Sequence, residues 1–232
     1  MEKQLNAIEH NLKTVSQRII HSALACGRDP KSVRLVSVSK TRSIEEIRTV
    51  IQAGSEIMGE NYIQEAQDKF DRLINWPVQW HFIGHLQRNK AKYAVHMFEL
   101  IHSVDSLKLA AEINKQAQKI GKIQKILVQI NISKESTKSG VAQEELLKLI
   151  QNMNGFKNLN IQGLMTMPPY FSDPELARPF FTALRLLRDR IQTDLTLSLK
   201  ELSMGMTGDF EVAIQEGATL VRIGTAIFGE RV

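Results

Sequence analysis

Apolar residues follow two alternating patterns along this chain, one typical of helices and one of buried strands. The first pattern opens the chain, where apolar residues recur every three or four positions at Leu5, Ile8, Leu12, Val15 and Ile19. This spacing predicts an amphipathic helix, which the dipeptide Asp29-Pro30 ends. Beyond it, short runs of Val, Ile and Leu alternate with helical stretches. Such runs are expected of parallel strands buried on both faces.

Eight apolar runs are predicted to be strands. They are Val33–Ser39, Ile57–Glu60, Gln79–Gly84, Phe98–Val104, Lys125–Ile132, Ile161–Met167, Glu201–Met206 and Leu220–Phe228. Ser43-Ile44-Glu45-Glu46 is a capping box for the helix after the first strand. Asp173-Pro174-Glu175 predicts another helix start. Four glycines stand where helices should end in a left-handed residue, namely Gly54, Gly121, Gly155 and Gly217.

Eight strand–helix units in succession predict an α/β fold, a closed (β/α)₈ barrel of the TIM type with an extra N-terminal helix. No linker or low-complexity tract divides the chain, so residues 1–232 are predicted to form one domain. An open, doubly wound sheet is the alternative. That fold normally uses fewer strands and carries a glycine-rich turn after the first one, which this sequence lacks. In a barrel, functional residues gather at the C-terminal ends of the strands.

Composition narrows the function classes. The 232 residues are 43% hydrophobic and 24% charged, as in ordinary globular proteins. The single cysteine, Cys26, excludes an internal disulfide and a cysteine-based metal site. No apolar run is long enough to span a membrane, and residues 1–24 lack the apolar core of a signal peptide, so we expect a cytoplasmic protein without membrane partners. The net charge of +5 comes without a dense basic tract or interleaved aromatics, which argues against nucleic-acid binding.

A lysine stands at the end of the first predicted strand. The apolar run Leu35-Val36-Ser37-Val38 leads directly to Lys40, which places its amine at the predicted barrel mouth. Between low-dielectric walls a lysine loses its proton more easily and becomes a nucleophile able to form a Schiff base. The alternative is a side chain that extends from the strand end into water.

The last two strands supply a second feature of the mouth. Phosphate groups often bind after strands seven and eight of a barrel, beside a helix N-terminus. Here the segment from Ser203 to Gly208 precedes a predicted helix at Asp209–Glu216, and Gly224-Thr225 follows strand eight. Arg222 lies beside them and is predicted to meet a phosphate or a ring nitrogen. A nucleophilic lysine opposite such a cradle suits a ligand with both a carbonyl and a phosphate.

Other polar residues carry weaker signals. His81 and His85 lie four apart on a strand that leads into a loop, so they do not share a face, and no metal site is predicted. Glu60 and Glu65 favour a supporting or helix-opening role over acid–base chemistry. The methionines Met165, Met167, Met204 and Met206 are interpreted as packing around the mouth.

The whole chain resembles the YggS/PROSC family of pyridoxal phosphate homeostasis proteins. Six motifs in order carry the resemblance: Val36-Ser37-Val38-Ser39-Lys40-Thr41, Gly59 to Glu65, His81 to Lys90, Gly163 to Met167, Leu202 to Met206, and Val221 to Gly229. Members often have proline where this chain has His85, although histidine also occurs there.

The resemblance implies the barrel of fold-type III enzymes, the alanine racemase type, with pyridoxal 5′-phosphate (PLP) bound to Lys40 as an aldimine. It implies that Ser203, Gly224 and Thr225 hold the phosphate and that Arg222 approaches the pyridine nitrogen. Asn61 matches a residue near the ring, and Met204 is counted with the cofactor-binding residues. The family is regarded as non-catalytic and as buffering or delivering PLP. We therefore expect a monomer whose partners are PLP and PLP-dependent apo-enzymes.

Two enzymatic alternatives remain at this stage. An amino-acid racemase needs two bases, one of which is a tyrosine from a further domain in the racemases. This sequence shows no such segment after its eighth predicted strand, so we expect no second base. An arginine at the ring nitrogen also keeps the ring unprotonated, which weakens it as an electron sink. A lysine Schiff-base aldolase would share the barrel and the phosphate site but would lack a bound chromophore.

Overall fold

In the computed structural model, eight parallel strands form a closed barrel in sequence order. The structure describes residues 2–133, 135 and 139–230. β1 pairs with both β2 and β8, which joins the two edges of the sheet. This closure confirms the predicted (β/α)₈ barrel and excludes the open sheet. The strands are β1 Arg34–Val38, β2 Ile57–Glu60, β3 Gln79–Phe82, β4 Leu100–Val104, β5 Gln124–Gln129, β6 Leu159–Met165, β7 Glu201–Ser203 and β8 Leu220–Ile223.

Helices alternate with the strands, and one precedes the barrel. α1, the predicted N-terminal helix, packs against α2, α8 and α9 and buries Ile8, Leu12, Val15 and Ile19. No helix in the described part of the chain is long and apolar enough to cross a membrane. The helices are α1 Glu2–Ala25, α2 Ile44–Gln52, α3 Ile63–Arg72, α4 Ala91–Met97, α5 Leu107–Lys119, α6 Gln143–Met153, α7 Arg178–Leu195, α8 Phe210–Gln215 and α9 Thr225–Phe228.

Most of the predicted helix boundaries are confirmed. Ser43 and Glu46 form both bonds of the capping box at the start of α2. Asp173 caps a short 3₁₀ helix, Pro174–Ala177, that leads into α7. Gly54, Gly121 and Gly217 have the left-handed φ that was predicted, whereas Gly155 does not, so that prediction was wrong.

Six strands end earlier than predicted, β1, β3 and β6 by one or two residues and β5, β7 and β8 by three or more. β5 ends at Gln129 and β7 at Ser203, each three residues before the predicted end. β8 ends at Ile223, and the predicted strand residues Thr225–Phe228 form α9 instead. The apolar sequence Ala226-Ile227-Phe228 resembles a strand, but the amides of Ile227 and Phe228 both donate to the Gly224 carbonyl and turn the chain. The residues wrongly predicted to continue β8 therefore form a turn and a short helix at the barrel mouth.

The barrel has an inner and an outer apolar layer. The inner cluster is small and fills the barrel axis with Val36, Ile57, Ile83, Leu100, Leu127, Met165 and Leu220. The larger outer cluster lies between strands and helices. Because side chains alternate along a strand, Val221 and Ile223 of β8 belong to the outer layer while Arg222 points inward. The inward direction of Arg222 brings its side chain to the candidate site.

Candidate functional site

A cavity of about 490 Å³ opens at the C-terminal ends of the strands. This volume suits a small cofactor. Five of the seven residues predicted to bind the cofactor line it, namely Lys40, Asn61, Arg222, Gly224 and Thr225. Thr207, Gly208 and Asp209 line it as well. Thr207 and Gly208 lie in the segment predicted to approach a phosphate, whereas Asp209 was predicted only as a helix start. The fold therefore brings the ends of β1, β2 and β8 and the loop after β7 around one space.

Lys40 lies two residues beyond β1, and its side chain is half-buried. It lines the cavity together with the apolar side chains of Val38 and Ile83. These side chains supply the low-dielectric walls that the sequence suggested. The next residue, Thr41, has a φ of 65°, so the chain turns sharply directly after the lysine.

Asn61 follows β2 and presents an unsatisfied acceptor. Its side-chain oxygen Oδ1 is buried and lacks a hydrogen-bond partner within the described residues. Gly84 packs against the Asn61 backbone so closely that an added Cβ would lie 2.2 Å from the Asn61 carbonyl oxygen. Glycine at position 84 is therefore required for this placement of Asn61. A buried polar atom without a partner is costly, and a ligand that donates a hydrogen bond would satisfy it.

Arg222 lies on the cavity floor and is held by neutral groups. Its guanidinium donates to Ser203 Oγ at 2.6 Å and to the Thr166 carbonyl oxygen at 3.0 Å. Burial lowers the pKa of Arg222 to about 10, against the opposing charge of Asp209. The side chain thus stays charged at neutral pH. Its hydrogen-bond partners leave that charge largely uncompensated, which favours an anionic or electron-rich group of a ligand.

A buried hydrogen-bond chain continues from Arg222 through the barrel interior. Ser203 Oγ shares a hydrogen bond of 2.8 Å with Nδ1 of His102, and Nε2 of His102 shares one of 3.0 Å with Nδ1 of His81. Burial lowers the pKa of His81 to about 3 and that of His102 well below its ordinary value. Both imidazoles are therefore neutral at pH 7. They fix the Ser203 hydroxyl, and through it the guanidinium, without adding charge.

Two residues expected near the cofactor lie outside the cavity lining. The hydroxyl of Ser203 is fully buried and engaged with Arg222 and His102. The Met204 side chain packs in the outer layer, and its backbone N–H donates to the Leu220 carbonyl at 3.1 Å. Met204 therefore offers neither a side chain nor a free donor to the cavity. We interpret it as a core residue, as its sequence context had also suggested.

The loop after β7 owes its shape to one glycine and one aspartate. Gly205 has a φ of 91°, and an added Cβ would lie 2.6 Å from the Ala213 Cβ atom. Asp209 Oδ1 accepts a hydrogen bond of 2.6 Å from the Met206 amide, directly before α8. Burial raises the pKa of the Asp209 carboxyl. These contacts hold Thr207 and Gly208 against the cavity, opposite Gly224 and Thr225.

The remaining candidates lie elsewhere. His81 bonds to His102, whereas Nδ1 of His85 lies 3.3 Å from the Ser139 hydroxyl, so the two histidines do not converge. The described residues contain no group of three or more His, Cys, Asp or Glu placed to hold a metal ion. Glu60 and Glu65 do not line the cavity; both pair with Lys69 behind β1 and β2.

This barrel, with a lysine after its first strand and glycine-containing turns after its last two strands, belongs to a known class. The family model for the N-terminal domain of alanine racemase matches residues 4–232, and the chain belongs to that family. A solved alanine racemase of Clostridium difficile shares the fold with a TM-score of 0.74 at 14% identity, covering 96% of this chain and 57% of the racemase.

Within that class, the chain is similar to proteins named for pyridoxal phosphate homeostasis. The pyridoxal phosphate homeostasis protein of Aquifex aeolicus is 45% identical over 227 residues, which cover 98% of this chain and 99% of that protein. The structure of PipY from Synechococcus elongatus, solved with PLP bound, matches with a TM-score of 0.82 at 34% identity and covers 93% of this chain and 100% of PipY. The chain thus belongs to the family of pyridoxal phosphate homeostasis proteins.

Proposed function

We propose that this protein binds pyridoxal 5′-phosphate as a Schiff base on Lys40 and serves as a non-catalytic carrier of the cofactor. The observation that carries the proposal is the convergence of Lys40, Arg222 and the Gly224-Thr225 turn on one cavity of about 490 Å³. The lysine suits an aldehyde, and the other groups suit a phosphate and a ring nitrogen. The bound PLP of the related PipY supports the same assignment.

Different residues of the cavity would bind different groups of PLP. Lys40 would hold the aldehyde end of the cofactor through its amine. PLP supplies that reactive aldehyde. Thr207, Gly208, Gly224 and Thr225 would meet the phosphate with hydroxyls and close backbone approach. The unpartnered Oδ1 of Asn61 would accept from a donor on the ligand.

A carrier role suits this site better than a racemase. Racemisation requires two positioned bases, and among the described residues that line the cavity the one tyrosine is Tyr170, which is 90% exposed at the rim. Arg222, which is charged at neutral pH, would repel a proton at a nearby ring nitrogen and weaken the ring as an electron sink. The close relatives are named for homeostasis rather than for a reaction.

The proposal extends to the setting of the protein. We infer a cytoplasmic monomer that passes PLP to PLP-dependent apo-enzymes, as the sequence suggested. Gel filtration with light scattering tests the monomer. For the transfer, the holo-protein is mixed with an apo-transaminase across a dialysis membrane and, separately, in direct contact. Faster activation in direct contact than across the membrane supports delivery, while equal rates show release into solution only.

The function is tested by comparing binding with turnover. Titration of the apo-protein with PLP should produce the visible band of a Schiff base, and borohydride should bleach it. The holo-protein should not racemise alanine or other small amino acids at enzymatic rates of about 1 s⁻¹ or more. Such turnover would favour the racemase, and the absence of a PLP band would favour an aldolase.

A further inference from the structure

A buried ion-pair cluster lies directly behind the segment that carries Lys40. Its centre is Lys69 of α3, whose side chain is only 5% exposed. The ammonium Nζ donates to Glu60 Oε1 at 2.7 Å, to Glu65 Oε1 at 2.6 Å and to the Ser39 carbonyl oxygen at 2.6 Å. The sequence alone suggested no such role, because Glu65 and Lys69 have the i,i+4 spacing of an ordinary surface pair.

The cluster holds the backbone on both sides of Lys40. On one side, Lys69 binds the carbonyl of Ser39, and the Ser39 hydroxyl donates to Glu60 Oε1 at 2.7 Å. On the other side, the amide of Thr41 donates to Glu65 Oε1. Thr41 is β-branched and has a left-handed φ of 65°, a conformation that needs support from its surroundings. The cluster supplies that support one residue away from the amine.

The cluster also carries a charge pattern that bears on the Lys40 amine. Glu60 is fully buried, and burial raises its pKa, whereas the neighbouring Lys69 lowers it. Lys69 thus provides a cation for two carboxylates located beside residues 39 and 41. Without that cation the buried Glu60 carboxyl would tend to bind a proton, and Glu60 and Glu65 would lose the partner that joins them. The turn that places the Lys40 amine would then lose part of its support.

We propose that Lys69 is a positioning residue for Lys40, which fixes the strand-end turn that presents the lysine amine to the cavity. This inference rests on the proposed Schiff base at Lys40. It assigns to the Glu60–Glu65–Lys69 cluster a role in how fast and how completely PLP is captured. The cluster does not line the cavity, so it should leave the phosphate and ring contacts unchanged.

The test separates covalent capture from non-covalent binding. Lys69→Met removes the cation. Lys122→Met is the matched control, because the half-buried Lys122 also donates to backbone, namely to two carbonyls at 2.8 Å each, far from the mouth. Stopped-flow absorbance gives the rate of Schiff-base formation with PLP. Calorimetry gives the affinity for 4-deoxypyridoxine 5′-phosphate, which has the same ring and phosphate but no aldehyde.

For Lys69→Met we expect Schiff-base formation to slow about tenfold or more, as misplacement of a reacting group typically does. A larger fraction of bound PLP should then absorb as the free aldehyde. Affinity for the deoxy analogue should stay within about twofold of the original, and Lys122→Met should change neither quantity. An unchanged rate and spectrum in folded Lys69→Met, or an equal loss of analogue binding, overturns the proposal.

A milder variant keeps the test decisive if Lys69→Met does not fold. Glu65→Ala removes the acceptor for the Thr41 amide at a position whose side chain is 25% exposed, so folding should tolerate it. It too should slow Schiff-base formation while sparing analogue binding; an unchanged rate contradicts the proposal. Failure of the proposed function looks different, because the unmodified protein would then form no Schiff base at all, or Lys40→Ala would still form one.

Discussion

The two sides of the cavity bury a cation in opposite ways. On the side of β1 and β2, Lys69 forms ion pairs with Glu60 and Glu65, so its charge is neutralised inside the protein. On the side of β7 and β8, Arg222 is equally buried but donates to a hydroxyl and a carbonyl. A buried charge without a paired ion is costly. The comparison indicates that Lys69 stabilises the fold by pairing with carboxylates, whereas the charge of Arg222 is available to attract an electron-rich or anionic group of a ligand.

Lys40 lies between these two environments. Its backbone is fixed through Ser39 and Thr41 on the side of Lys69. Its side chain shares a cavity with Arg222, whose hydrogen-bond partners are neutral. A site that captures and later releases an aldehyde needs both features, because the amine must be placed while the anionic part of the ligand must be attracted. The following predictions test the contrast, beginning with the largest expected effect.

Replacing Arg222 with Met should weaken PLP binding by roughly 3 kcal/mol, about a hundredfold in Kd, because a charge-assisted contact is lost. The free energy of unfolding should change little, since the lost hydrogen bonds are offset by removal of a buried charge. Calorimetric titration and chemical denaturation measure the two quantities. Titration with unphosphorylated pyridoxal sharpens the result: an unchanged affinity places Arg222 at the phosphate, and a loss places it at the ring. Retained PLP affinity would contradict the claim that Arg222, unlike Lys69, acts on the ligand.

The neutral histidine chain predicts a specific acid sensitivity. The folded-state pKa of His81 is about 3, below its ordinary value of 6.5, because burial disfavours the charged form. The unfolded chain binds the extra proton first, so stability is complete above pH 6.5 and falls as the pH drops towards 3. At pH 5 this one residue should cost about 2 kcal/mol.

Denaturant unfolding of His81→Asn at pH 7 and pH 5 checks this expectation. The variant should lose clearly less stability between the two pH values than the original protein, because asparagine does not titrate. Equal pH dependence in both proteins would show that His81 is not held neutral by burial.

The smallest effect is expected at Thr225. Loss of one neutral hydrogen bond to a phosphate costs about 1.5 kcal/mol, so Thr225→Ala should weaken PLP binding roughly tenfold. Affinity for pyridoxal should stay the same, because that ligand lacks the phosphate. Equal weakening for both ligands, measured in parallel titrations, would indicate that Thr225 shapes the α9 turn rather than meeting the phosphate.

The barrel and most of the residues at its mouth could be predicted from the sequence. Strictly alternating apolar runs and helix signals predict eight strand–helix units, and the C-terminal strand ends then place Lys40, Asn61 and Arg222 together. The strand ends near Gly224 could not be predicted from hydrophobicity, because a short apolar helix and a strand have the same composition. Only the backbone hydrogen bonds to the Gly224 carbonyl decide between them.

The buried residues that hold the cavity-lining side chains in place could not be predicted in this way. His102 lies within the apolar run of β4, and Ser203 lies on β7. Only closure of the barrel brings His102 Nδ1 to within 2.8 Å of Ser203 Oγ. Lys69 resembles a surface lysine in its helix, and its burial appears once α3 packs on β1 and β2. Asp209 reads as a helix start, yet it also shapes the loop at the cavity. Residue pairs that are distant in the chain leave no local pattern.

The central claim is that Lys40 carries PLP, and one measurement tests it most directly. The protein is loaded with PLP, reduced with borohydride, digested and mapped by mass spectrometry, with Lys40→Ala treated in parallel. We expect the phosphopyridoxyl group on the peptide that contains Lys40 and no stoichiometric label in the variant. Stoichiometric labelling at another lysine, or labelling of Lys40→Ala equal to that of the original protein, would contradict the account.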